Sequence, residues 1–331
     1  MGEQLLRVRT SERTQFADCR MAWYWSYVDR LTPLRQPVYF TFGDIFHQAL
    51  ALNLIPEKPR GINNKAKRGM PLPEAFVKVY DDVIGEGQKL GMYLDGEWDD
   101  ARDLGIHMAE NYVERYGDDR RYRVVAPEMP FQIRLKDADG RWYLYVGQTD
   151  GVIQDLTTGQ YGLIEHKTWA RDMSAGLHRS EQAASYWAFT PVVLQREGLL
   201  DPGVDLTFML YNVLFKRRKD DKREKNAEGL YLNKNGTVSK NQGTALFHRE
   251  IQLRTPYERV SLHHRAAQQV KEMRLIREGK LAPIKSPGEK CGRCPHRDMC
   301  ELHEAGADWE EFRDVHYFKW EPYEAHEHKA G

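Results

Sequence analysis

VGQTDGVIQD (146–155) and YGLIEHKTW (161–169) decide how this chain is read. Both stretches are short and rich in β-branched and aromatic residues, and Thr157-Thr158-Gly159 turns the first into the second. They predict two neighbouring strands. Strand side chains alternate faces, so Glu165 and Lys167 point one way and His166 the other. Asp150 sits on the first strand, and two acids and a lysine converging at a sheet edge suit a hard divalent cation, Mg²⁺ or Mn²⁺. Such an ion lowers the pKa of water and neutralises charge developing on a phosphate. Lys167 would orient or deprotonate the water. Glu-x-Lys by itself is common, and alone it describes a solvated strand.

Around these strands the pattern is mixed. Strands are expected over 122–135 and 141–155, with a tight hairpin at Asp139-Gly140. A long helix follows over 177–198, bent or ended near Pro191, then strands at 206–215 and 245–253 and a helix over 258–279. The mixed-charge run 216–225 reads as a solvated loop, and Asn235-Gly236 as a hairpin. Upstream, helices are expected over 11–30 (capped by Ser11), 42–54, 74–84 and 100–117, with a basic Pro/Gly-rich surface loop over 56–73. The segment 304–331 is a tail, aromatic in places, that either packs back or stays loose. The expected fold class is α/β, one domain over 1–331 with a mixed central sheet flanked by helices and a helical insertion over 56–120.

Composition excludes several classes. The 331 residues are 41% hydrophobic and 30% charged, which is neither disordered, collagen-like nor membrane-embedded. The N-terminal MGEQLLRVRTSER has no apolar signal core, and Leu6 stands where N-myristoylation needs Ser or Thr. An intracellular, cytoplasmic protein without membrane attachment is expected. Lys+Arg and Asp+Glu are 49 each, so any basic surface is local.

There are four cysteines, and three lie in CGRCPHRDMC as Cys291, Cys294 and Cys300. The fourth, Cys19, is 291 − 19 = 272 positions upstream of Cys291. This spacing favours a metal or cluster site over disulfides. Joining positions 19 and 291 removes about 5 kcal/mol of loop-closure entropy from the unfolded chain, enough for a structural role. Zinc on the four thiols is an occupant that spacing does not exclude. His47 follows Gly43 by one helical turn and is a candidate third ligand. Gln182 and Tyr186, four apart, share a helix face.

In order, Gly43-x-x-x-His47, Gly147-Gln148-Thr149-Asp150, Glu165-His166-Lys167, Gln182-x-x-x-Tyr186 and Cys19…Cys291-x2-Cys294-x5-Cys300 resemble the RecB/AddB-type branch of the PD-(D/E)XK nuclease superfamily, with its CRISPR-adaptation and phage exonucleases. The resemblance spans residues 11–300. It implies that His47, Asp150 and Glu165 ligate Mg²⁺ or Mn²⁺ with the His166 carbonyl, and that Lys167 supports the hydrolytic water. It also implies that Gln182 and Tyr186 hold the strand, and that the four cysteines carry a [4Fe–4S] cluster stapling segments 11–30 and 280–303. Arg20 departs from the family, where proline is frequent after the first cysteine. Glu128 is a further candidate, as an acid behind the ligands, a second-metal acid or a plain strand-start residue.

The expected activity is metal-dependent hydrolysis of single-stranded or end-containing DNA, an exonuclease of recombination, repair or phage DNA processing. A noncatalytic nucleic-acid-binding subunit and a structure-specific endonuclease are the alternatives. The resemblance implies recombination, helicase or CRISPR-adaptation proteins as candidate partners; the chain has no phosphate-loop motif of its own, so any unwinding would come from a partner. Lys58, Arg60, Lys65, Lys67 and Arg68 are candidate groove cations, and Trp169 and Trp187 candidate stacking surfaces.

Overall fold

A computed structural model describes residues 5–34, 38–54, 69–89, 98–117, 119–171, 174–219, 223–240 and 245–323. The candidate groove cations between 58 and 68 lie outside these residues. In chain order the elements are β1 (Leu6–Arg9), α1 (Thr10–Asp18), α2 (Arg20–Trp23), β2 (Leu31–Pro33), α3 (Val38–Leu54), α4 (Leu72–Lys89) and α5 (Asp99–Tyr116). Then come β3 (Tyr122–Lys136), β4 (Trp142–Asp155), β5 (Tyr161–Trp169), α6 (Glu181–Arg196), β6 (Leu206–Phe215), β7 (Phe247–Leu253) and α7 (Pro256–Arg277). α8 (Arg297–Glu304), α9 (Trp309–His316) and β8 (Tyr317–Lys319) follow.

The main sheet runs β1-β4-β5-β6-β7, with β3 on the other edge of β4. It is mixed: β1 and β4 are parallel, as are β5 and β6, and the other pairs are antiparallel. One edge of β4 is shared. Tyr143–Val146 pair with β1, and Gly151–Gln154 pair with β5. The stretch Gly147–Asp150 therefore stands at a fork where two neighbours diverge.

Helices cover both faces. Tyr211, Val213 and Phe215 of β6 join a core cluster with Phe189 of α6, Met273 of α7 and Phe16 of α1. Leu214, one residue off, faces the opposite layer with Phe46 of α3, Phe76 of α4 and Met108 of α5. Apolar residues on both faces of a central strand give β6 its near-continuous hydrophobic run.

Three local expectations change, and the tail takes one of the two courses open to it. The helix expected over 11–30 stops at Asp18; Cys19 is extended, and a new turn begins at Arg20 and runs into a π-helical turn at Tyr24–Val28. The cause is tertiary: the Met21 amide donates to the Ile284 carbonyl at 3.1 Å, so it is spent on the C-terminal segment. Ser11 is not the cap. The Arg9 amide donates to Glu12 instead, at 3.1 Å, and Ser11 meets the Tyr27 hydroxyl. Pro191 lies inside α6 without ending it, on a helix buried along most of its length. The tail packs back, β8 pairing antiparallel with β2.

Candidate active site

The fork sets the geometry. β5 leaves β4 beyond Ile164, which frees the next β5 amides on that side. The Asp150 carboxylate takes one of them, accepting from the His166 amide at 2.6 Å. The side chain thus replaces the missing backbone partner and is fixed beside the next two residues of β5. Glu165 and Lys167 share a face as expected, and the Lys167 ammonium donates to Glu165 Oε1 at 2.5 Å. It also donates to Gln182 Oε1 on α6 at 3.2 Å. Gln182 Nε2 in turn donates to the Tyr186 hydroxyl at 3.2 Å.

His47 comes from the other layer. A Cβ on Gly43 would stand 2.8 Å from Thr168 Oγ1, so the glycine lets α3 approach β5 closely. One turn on, His47 Nδ1 lies 3.7 Å from Asp150 Oδ2. Glu165 is shut in, its side chain 2% exposed, whereas His47 and Asp150 keep 26% and 20% of theirs open to solvent. The site is closed at its base and open at its mouth.

Burial dominates the electrostatics. It pushes the Asp150 carboxyl up to about 6; Lys167 and the His166 amide oppose this, and Glu128 and Asp44 add to it. Glu165 is also raised, first by burial, against Lys167 and with Asp150. Burial pulls His47 down to about 4, with Lys167 pushing the same way, so the imidazole is neutral, the form that donates a lone pair to a metal. Burial works against the Lys167 charge, but Glu165 and Asp150 hold its pKa above the ordinary value.

The donor set is an imidazole and two crowded, desolvated carboxylates. In kind it fits a hard divalent ion, whose charge would relieve the repulsion that raises both acids. Among the described residues, however, no three His, Cys, Asp or Glu side chains are gathered into a group that could hold a metal ion. Lys167 occupies Glu165 and the His166 amide occupies Asp150, so both acids are already engaged within the protein.

The remaining candidates are placed as follows. The His166 ring lies on the opposite face, buried, with Nδ1 2.8 Å from Asn212 Nδ2. Asn212 also reaches the Tyr112 hydroxyl, which accepts from Arg249. Glu128 has φ 39° and accepts from Gln148 at 2.7 Å. Trp187 is not a stacking surface; it is 2% exposed and its indole donates to the Leu206 carbonyl. Trp169 packs partly buried against the core. Sequence reasoning missed Asp44, whose charge acts on both His47 and Asp150. The signal was present: Asp44 and His47 are three apart on one helix and share a face.

Cys19 and the 291–300 segment come together. Cys19 and Cys300 both add to the raised pKa of Cys294, which burial raises first. Lys290 pairs with Asp18, and Ser26 Oγ lies 2.7 Å from His296 Nε2. Four thiols from two segments are the right donors for a soft cluster or zinc, but as described they too form no group that could hold a metal ion.

A family model described as the PD-(D/E)XK nuclease superfamily matches residues 10–301. No curated protein matches. Among solved structures, the chain is similar to the protein SSO0001 at 10% identity and TM-score 0.36, over 91% of this chain and 88% of that one. It is also similar to a Eubacterium rectale protein named "Putative exonuclease", at 11% identity and TM-score 0.41, over 89% of this chain and 94% of the other. No helix among the described residues is long and apolar enough to cross a membrane.

Proposed function

The chain belongs to the PD-(D/E)XK nuclease superfamily, and from that premise we propose that it is a metal-dependent DNA exonuclease acting on single-stranded or end-containing DNA. One observation carries the reading: at the fork, two desolvated acids stand beside a lysine held in its charged form and an imidazole held neutral. In this reading His47, Asp150, Glu165 and the His166 carbonyl would hold Mg²⁺ or Mn²⁺. The ion would supply charge neutralisation and a lowered pKa for water.

The chain's own groups do the rest. Lys167, charged beside Glu165, places a cation where negative charge grows on the phosphate. Gln182, fixed by Lys167 and Tyr186, holds the strand against it. The open mouth at His47 and Asp150 admits the scissile phosphate. In this reading the four cysteines would carry a [4Fe–4S] cluster joining the chain's early and late segments, with zinc as the alternative occupant.

Linear and closed-circular single-stranded DNA, each incubated with the protein and Mn²⁺, test the proposal. Mononucleotides from linear DNA with intact circles are expected. Cut circles would make the protein an endonuclease, and no cleavage of either would make it a binding subunit.

A further inference from the structure

A cavity of about 350 Å³ opens between the start of α6 and the first turns of α7. Arg179, Arg254 and Arg265 line it, against Glu181 and Glu258. Arg254 is the informative residue. Its side chain is 6% exposed, and its Nη1 makes one long contact, 3.4 Å to Glu258 Oε1. Its Nε and Nη2 are buried and make no close hydrogen bond among the described residues, the Tyr211 hydroxyl being a loose partner of the guanidinium. A guanidinium cannot shed its proton, and buried charged donors left unmade are costly.

The nearby acids are already committed. Glu181 pairs with both Arg13 and Arg265. Glu258 accepts from the Thr255 amide in the cap of its own helix. The lining therefore carries three guanidiniums against two carboxylates, one of them shared with Arg13 behind it. Tyr211 connects the cavity to the fork. It pairs in register with Glu165, its hydroxyl donates to the Leu177 carbonyl at 2.9 Å, and Arg254 acts on the same hydroxyl.

We propose that this cavity is a phosphate-binding pocket, which takes a phosphate group of the nucleic-acid strand while a neighbouring linkage lies at Asp150 and Glu165. Arg254 supplies its charge from the cavity wall, Arg265 shares the lining, and Arg179 adds charge at the rim. The identity of the strand rests on the nuclease reading; the anion chemistry does not. A backbone diester and a terminal monoester share this chemistry.

The test uses the full chain in EDTA, so that no cleavage intervenes. Binding of a short single-stranded oligonucleotide, with a 5′-phosphate or a 5′-hydroxyl, is followed by anisotropy against salt. Arg254→Gln should weaken binding roughly tenfold, and the slope of log K against log[salt] should fall by about 0.7 for the lost phosphate. Arg254→Lys should recover the slope but not the full affinity. Loss confined to the phosphorylated oligonucleotide assigns a terminal monoester, and equal loss on both assigns the backbone. The exposed Arg179→Gln, which leaves the core alone, should weaken binding in the same direction. Inorganic phosphate is the separate probe: at matched ionic strength it should raise the melting temperature of the wild type but not of Arg254→Gln. If wild type ignores DNA yet responds to phosphate through Arg254, the nuclease reading fails and the pocket stands. Unchanged affinity, salt slope and phosphate response in folded Arg254→Gln and Arg179→Gln would overturn the pocket.

Discussion

Lys167 divides its ammonium between Glu165 at 2.5 Å and Gln182 at 3.2 Å, which ties the buried acid to the helix proposed to grip the strand. Glu165→Ala or Asp150→Ala should lower cleavage by roughly 10²–10³-fold or more, with DNA affinity in EDTA changed little, because neither acid is a strand contact. Quench assays and anisotropy on the same preparations check this, and full turnover in either variant would reject the assignment. Lys167→Ala should lose roughly 10²-fold in turnover yet still bind Mn²⁺ by calorimetry, since its charge is needed more as the phosphate reacts than before. Much of this site was legible. Glu165, Lys167, Gln182 and Tyr186 follow from strand and helix spacing, which fixes faces. The Asn212–Tyr112–Arg249 chain behind His166 was not, because it meets only when α5, β6 and β7 are packed together.

β5 and β6 occupy the residues expected, 161–169 and 206–215, because long apolar or alternating runs bounded by turn residues admit little else. β1 escaped notice: its four residues become a strand only by pairing with Tyr143–Val146. The break at Cys19 carries no local signal either, since its cause is Ile284. α4 and α5 offer a paired test of packing. A Cβ on Gly105 would stand 1.8 Å from Phe76 Cζ, and nothing lies within 4 Å of one on Gly85. Phe76 has ring neighbours in Phe42, Phe46 and Tyr80 and cannot step aside. Alanine gains about 1 kcal/mol over glycine in a helix, while overpacking costs about 1–3 kcal/mol. Gly85→Ala should therefore raise the urea midpoint and Gly105→Ala lower it; the same sign at both would contradict the packing.

The two ends of the described chain hold one another through Arg20 and Glu272, Asp18 and Lys290, and Ser26 and His296. If a cluster is held there, wild-type protein made anaerobically should be brown with about four irons per chain. Cys294→Ser should be colourless and less stable, and any folded fraction should still cleave DNA, since phosphodiester hydrolysis moves no electrons. One zinc and no iron would replace the cluster and keep the tie. The same closure governs how the protein is made. β1 needs β4, and the segment around Cys19 needs residues 284–300. At about 5–20 residues per second, the 272 residues from Cys19 to Cys291 take roughly 14–54 s to leave the ribosome. Through that interval Trp25, buried in the finished protein against Met299, waits without the surface that covers it. A segment synthesised early is thus among the last to settle, and a nascent chain stalled before residue 284 should expose it to chaperones and proteases.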